Sequence, residues 1–286
     1  MSGVRTRSLG AVLEVTLDRP PANAIDLATS RAMGEVFASF RDDRALRVAV
    51  LRTAGERFFC AGWDLKAAAA GDAVDGDYGV GGFGGIQELP GLNKPVIALV
   101  EGMAVGGGFE LALSCDLIYA ADTASFALPE INAGTLADAA TLRLPTRMPH
   151  HIAMELLLTG RWMDAAEAHR WGLVNEVHPP AHLAERVLEV ASKLAEGPPL
   201  VYAAIKEVQR ESQRLTFAEA MRRIATSGFP TSPRCTRRRT SAKERGRSPR
   251  SGRRPGRASS ATSHPFSVFA PRRRGAKWTE RVRRQR

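Results

Sequence analysis

Two glutamates and two glycine-bearing turns are the features of this 286-residue chain whose types and setting would do chemistry. Glu110 lies among Phe109, Leu111, Ala112 and Leu113, and Glu130 follows Phe126-Ala127-Leu128-Pro129 and precedes Ile131. A carboxylate among apolar neighbours costs free energy unless it is paired or its pKa rises. A raised pKa suits a general acid or base working near neutral pH. Taken singly, each glutamate fits a solvated or helix-capping role equally well.

The glycines come next. Gly106-Gly107-Gly108 runs directly into Phe109-Glu110 after a short apolar stretch. Three glycines between a strand and a helix let the backbone approach a ligand closely and leave amide N–H groups free to face it. A tight turn with no ligand is the other reading. No Lys-Ser/Thr pair follows, which excludes a phosphate loop. The second turn lies inside Phe58-Phe59-Cys60-Ala61-Gly62-Trp63-Asp64-Leu65-Lys66. Its aromatic pair is expected to anchor in the core and leave Ala61-Gly62 at a sharp bend with an exposed amide. Two amides converging about 3 Å from one oxygen would stabilise a developing enolate, and losing one such donor costs roughly 10²–10³ in rate.

The elements that must position these residues alternate between strand and helix. Ala11–Leu17 alternates as a strand until Asp18-Arg19-Pro20-Pro21 stops it, and Leu27–Phe40 places Met33, Val36, Phe37 and Phe40 on one helical face. Val48–Arg52 and Val96–Val100 are short apolar runs of the kind buried in parallel sheets. Ala67–Gly91 is rich in Gly and Ala without a stable period and reads as a mobile loop or a frayed helix, and Gly81-Gly82-Phe83-Gly84-Gly85, which no strand precedes, reads as a flexible loop. Leu117–Ala120 and Ser125–Leu128 are further strands. From His150 onward the period is helical, clearest in Ala181–Glu196 with Leu183, Val187, Val190 and Leu194 in register. Such an order implies an α/β fold with a helical C-terminal region.

Charge is distributed unevenly. Residues 231–286 hold 19 basic and two acidic residues, a net of +17, whereas residues 1–230 hold 22 basic and 28 acidic, a net of −6. The Arg/Ser/Pro/Gly-rich segment 231–286 buries too little apolar surface to offset chain entropy and is expected to be disordered. Its composition also matches GC-rich coding DNA read out of frame, a frameshifted C-terminus that the nucleotide sequence would decide. Any attraction to nucleic acid through it would be non-specific. Cys60, Cys115 and Cys235 have no pairing or metal spacing, and the six histidines have no ligand spacing, so no metal is expected and a reducing cytoplasm fits. Met1–Arg7 lacks the apolar stretch of a signal peptide, and no run approaches a membrane span.

Taken together, Phe59–Lys66, Gly106–Ala112 and Leu128–Glu130 resemble the enoyl-CoA hydratase/isomerase (crotonase) family. Asp18-Arg19-Pro20, Asn23-Ala24-Ile25-Asp26 and the stretch from Thr159-Gly160-Arg161 to Trp171-Gly172-Leu173-Val174-Asn175 are similar to it as well. Within the family, Gly62–Ala69, Gly81–Phe83 and Ser125–Glu130 look most like the members that dehydrate carnitinyl-CoA. The resemblance implies a spiral of ββα units over 1–195, a helical region over 196–230 and a homotrimer or dimer of trimers. It implies an oxyanion hole from the amides of Ala61 and Gly107, with Glu110 and Glu130 sharing a water across the 2,3 bond of an acyl-CoA. Asn23, Ala24, Ala61, Trp63, Lys66, Gly106 and Gly107 would bind substrate, which itself brings the coenzyme, so no separate cofactor is implied. General enoyl-CoA hydration, isomerisation and a catalytically impaired body are the competing expectations. The last arises because the family's glycine pair after Glu130 is replaced here by Ala139-Ala140. An alanine reaches a positive φ only at a cost, so a strained loop and weakened activity are expected.

Overall fold

The computed structural model describes residues 3–73, 76–226 and 228–231. The Arg-rich segment expected to be disordered lies, beyond Thr231, outside the described residues. β1 (Val4–Leu9) and β2 (Val12–Leu17) pair antiparallel across Gly10, whose φ of +60° suits a tight hairpin. Only β2 is buried along its length; the polar β1, with Arg5 and Arg7, forms the exposed edge. Asp26 accepts from the Thr29 N–H and caps α1 (Leu27–Asp42), which buries Met33, Phe37 and Phe40.

After α1 the chain repeats one move: a strand for a first sheet, a strand for a second, then a helix or turn. β3 (Val48–Thr53) and β4 (Phe58–Cys60) lead into the short α2 (Leu65–Ala69), capped by Asp64. β5 (Val96–Val100) and β6 (Met103–Val105) lead into α3 (Gly107–Leu113). β7 (Leu117–Ala121) and β8 (Ser125–Ala127) lead through a 3-10 turn, Pro129–Ala133, to α4 (Asp138–Arg143) and α5 (His150–Thr159). β9 (Met163–Asp164), α6 (Ala165–Arg170), β10 (Glu176–His178), α7 (Pro180–Glu196), α8 (Pro199–Ser212) and α9 (Phe217–Ala225) complete the order.

Among the described residues the strands assemble into a six-stranded sheet, β1-β2-β3-β5-β7-β10, and a four-stranded sheet, β4-β6-β8-β9. All pairings from β2 to β10 in the first sheet are parallel, as are β4-β6 and β6-β8 in the second. Each turn of the chain therefore adds one strand to each sheet, and the result is a spiral of ββα units. β3 and β5 are apolar almost throughout because both of their faces are covered. α7 covers the larger sheet with Leu183, Val187 and Ala191.

The glycine-rich stretch expected to be a mobile loop is instead packed. Gly81, Gly82, Gly84, Gly85 and Ile86 are buried against α1, and Phe83–Gly85 forms a 3-10 turn. Small residues here serve close backbone contact: a Cβ on Gly85 would stand 2.2 Å from the Gly34 nitrogen, and Gly85 has φ +72°. Gly85→Ala is expected to cost about 3 kcal/mol or more from the left-handed backbone and overpacking together. A denaturation midpoint unchanged from the parent chain would show that this contact is not required.

Candidate active site

The two glycine turns of the sequence meet. In the first, the Ala61 N–H donates to the Ala22 carbonyl at 3.0 Å and the Gly62 N–H to Cys60 Sγ at 3.3 Å. Ile25 N–H donates to the Gly62 carbonyl at 2.8 Å, and Asp64 N–H to the Ile25 carbonyl at 2.9 Å. The Trp63 N–H is left as the amide of this bend with no acceptor among the described residues. Gly62 has φ +87°, and a Cβ there would lie 3.0 Å from the Gly107 nitrogen. Gly107 opens α3, where first-turn N–H groups have no intrahelical acceptor. The expected amide pair of Ala61 and Gly107 is therefore corrected: Ala61 spends its N–H on Ala22, and Trp63 stands beside Gly107 in its place.

Glu110 occupies the first turn of α3 and is only 8% exposed. Its Oε1 accepts from the Ala140 N–H at 2.9 Å, and the Ala139 N–H lies near enough to favour the charged form. Gln87 lies beside the same group, though its Nε2 stops short of hydrogen-bond geometry. Burial pushes the Glu110 pKa up, and the backbone donors pull partly against it. Glu130, on the 3-10 turn after β8, has Oε1 2.5 Å from where a Gly106 Cβ would sit, so Gly106 is what admits this side chain. Its Oε2 is buried with no hydrogen-bond partner. Burial raises its pKa first, and the like charges of Glu110 and Asp138 raise it further.

The altered loop after Glu130 carries none of the expected backbone strain. Gly134 takes the left-handed position with φ +69°, and Ala139 and Ala140 lie inside the right-handed α4. They serve Glu110 through their N–H groups and have no part in holding Glu130. Arg143, at the end of α4, bonds Ser114 Oγ and donates to the Gln87 carbonyl at 2.6 Å, tying α4 to both α3 and the glycine-rich segment.

The remaining candidates divide. Asn23, with φ +52°, is 2% exposed and fully engaged: Oδ1 accepts from Arg19 N–H, and Nδ2 donates to the Ala54 and Phe58 carbonyls. Its side chain is a structural clamp, and its three bonds go to the protein's own backbone. Ala24 is half-buried, and its carbonyl accepts from Arg19. Lys66 is exposed on α2. Trp63, Tyr78 and Phe83 form a ring cluster with centroids 5.5, 5.7 and 6.4 Å apart. Phe83, Gln87 and Ala140 lie close to these groups without having been expected as site residues, although Phe83 and Ala140 fall in stretches that the family resemblance touched. The signal for Phe83 was present, since a lone aromatic within five glycines-and-Phe has few uses other than packing. Among the described residues no group of His, Cys, Asp and Glu could hold a metal ion.

Comparison with known proteins follows from this geometry. Residues 7–230 match the family model described as enoyl-CoA hydratase/isomerase. The chain is 53% identical over 226 residues to a carnitinyl-CoA dehydratase of Proteus mirabilis, covering 79% of this chain and 87% of that one. It is 55% identical over 216 residues to a carnitinyl-CoA dehydratase of Escherichia coli K12, covering 75% and 83%. Among solved structures it resembles an enoyl-CoA hydratase of Mycobacterium tuberculosis H37Rv, with TM-score 0.71, 38% identity and coverage of 78% and 88%. It also resembles a carnitinyl-CoA dehydratase of Mycobacterium avium 104, with TM-score 0.70, 35% identity and coverage of 82% and 91%.

Two outcomes follow from the site's electrostatics and its clamp. Folded Glu110 holds its proton more firmly than an unfolded glutamate, because burial outweighs the N–H donors that support its carboxylate. Stability from this group is present at low pH and declines as pH climbs from the ordinary glutamate range through the raised pKa. Glu110→Gln keeps an acceptor for Ala140 without the charge. Its Tm should match the parent near about pH 4 and exceed it increasingly towards about pH 8; a gap independent of pH would contradict the buried-acid assignment. Asn23→Ala removes three hydrogen bonds and should cost about 2–3 kcal/mol, read by urea denaturation.

Proposed function

The chain belongs to the enoyl-CoA hydratase/isomerase family, and we propose that it adds and removes water across the 2,3 bond of a short-chain acyl-CoA, the carnitinyl-CoA/crotonobetainyl-CoA pair. The observation that carries this reading is the pair of acids, Glu110 buried and Glu130 half-buried, in unequal surroundings beside two backbone amides. Glu110 receives the Ala140 N–H, with the Ala139 N–H nearby, and both favour its carboxylate form. Glu130 has a buried oxygen without a partner and feels two like charges, which favour its acid form. Environments that separate two carboxyl groups in this way assign the base and the acid.

The chemistry then runs on this chain's own groups. The thioester oxygen lies between the N–H groups of Trp63 and Gly107. Glu110 takes a proton from water as the water oxygen bonds to C3. The electrons of the 2,3 double bond move to the thioester oxygen as an enolate, which the two amides stabilise. Glu130 delivers its proton to C2 as the carbonyl reforms. Elimination is the reverse sequence. Isomerisation needs one carboxyl group to move a proton between two carbons, so the second acid favours hydration. Ala24 and Lys66 are the expected contacts for the coenzyme A portion, and the substrate supplies the coenzyme, so the reaction draws on no separate cofactor.

The exposed apolar residues Leu65, Leu136, Leu142 and Phe217 support assembly into a homotrimer or dimer of trimers. Cys60 and Cys115 are buried free thiols, with burial pushing both up to about 12, which suits a reducing cytoplasm. No helix among the described residues is long and apolar enough to cross a membrane.

Hydration followed by loss of the enoyl-thioester absorbance tests the assignment. Glu110→Gln and Glu130→Gln should each lower kcat by about 10²–10⁴-fold. Retention of activity within about threefold by either variant would overturn the two-acid mechanism.

A further inference from the structure

Water addition to a simple enoyl chain uses neither the ring cluster nor Asp138. Trp63 and Tyr78 meet edge to face at 5.5 Å and 80°, and Tyr78 and Phe83 at 5.7 Å and 77°. Phe83 is also beside the amide pair: a Cβ on Gly107 would stand 2.7 Å from two of its ring carbons. Trp63 supplies the other amide from its own backbone. The rings are in mutual contact, so a ligand lies on the outer face of the cluster rather than between its members. Asp138, exposed at the start of α4, makes no ion pair among the described residues, yet its charge raises the pKa of both Glu110 and Glu130. Arg143, the cation near Glu110, is already engaged by Ser114 and the Gln87 carbonyl. The surroundings of the amide pair and of the two glutamates thus include aromatic rings on one hand and a carboxylate without an ion pair among the described residues on the other.

Both features attract the same kind of group. A quaternary ammonium cannot donate a hydrogen bond, and it is held by ring faces within about 6 Å of their centroids and by opposite charge. Reach fixes where it lies. In an acyl chain with the ammonium on C4, four bonds separate the thioester carbon from the nitrogen, an extended span of about 5 Å. With the carbonyl oxygen between Trp63 and Gly107, that span ends in the neighbourhood of Phe83. We propose that Phe83, with Trp63 and Tyr78, seats a quaternary ammonium at the end of the acyl group, and that Asp138 supplies the opposing charge. This assignment rests on the carbonyl placement of the proposed function and adds the residues that set its specificity.

Binding of two unreactive thioesters tests it apart from turnover. In 4-(trimethylammonio)butanoyl-CoA and its uncharged carbon isostere, 5,5-dimethylhexanoyl-CoA, the shape is shared and there is no 2,3 double bond. Titration calorimetry on the full chain should give the cationic ligand an affinity about tenfold higher. Phe83→Leu should shrink that preference to about twofold, Phe83→Tyr should restore it, and Asp138→Asn should reduce it by about threefold. Equal or tighter binding of the isostere by the parent chain overturns the proposal, as does a preference that survives Phe83→Leu. Binding of neither ligand overturns it as well. If crotonyl-CoA is still hydrated in any of these cases, the hydratase reading stands and the ammonium seat alone falls; if it is not, both fall.

Discussion

The site depends on one backbone-to-backbone approach, that of the β4 turn to the start of α3. A Cβ on Gly108 would lie 2.1 Å from the Cys60 carbonyl, one on Gly62 2.9 Å from the Val105 carbonyl, and one on Gly106 2.5 Å from a Glu130 oxygen. No side chain fits anywhere along this seam. The absence of Cβ atoms lets two turns distant in sequence lie in close contact, Gly62 against the Gly107 nitrogen. It also admits the Glu130 carboxylate from one side and the Phe83 ring from the other. The glycines act by what they leave out, and the reactive groups fill the room so made.

Around that seam the protein holds acids where water would suit them better. Burial raises the proton affinity of Glu110 and Glu130, and the nearby negative charge of Asp138 raises both further. Such an arrangement persists only if the surrounding frame is firm. The frame here consists of Arg143 joining α3, α4 and the glycine-rich segment, and of Asn23 joining the chain near Arg19, Ala54 and Phe58. Both are polar side chains that join segments distant in sequence, Asn23 through backbone groups and Arg143 through the Gln87 carbonyl and the Ser114 hydroxyl. The stability they contribute sustains a pocket that is itself unfavourable.

Much of this was legible in the sequence because the core strands are short apolar runs and the helices keep a regular period. The strands β2, β3, β5, β7 and β8 and the helices α1 and α7 lie within three residues of the bounds their sequences imply. The edge strand β1 was not, because its exposed, charged sequence carries no burial pattern. The glutamates and glycines of the site stood out by their setting. Which N–H of the Ala61–Trp63 bend remains open did not, because that depends on the carbonyls of Ala22 and Ile25, brought there by the fold. The same reason hid the clamp made by Asn23. The loss of glycines after Glu130 suggested strain, whereas a short helix absorbs Ala139 and Ala140 and turns their amides to use.

The interleaved spiral has a consequence for how the chain reaches its native state. Neighbouring strands are contributed by successive turns, so Val12 pairs with Val48, Ala49 with Val96 and Tyr119 with Glu176. Every ladder between these strands must wait for a long loop to close, and pairings remote in sequence are slow to nucleate. The reactive space draws on three consecutive turns, from the β4 bend through α3 to the segment after β8. No excised piece of one or two turns would contain it, and a nascent chain remains inert until its third turn has docked.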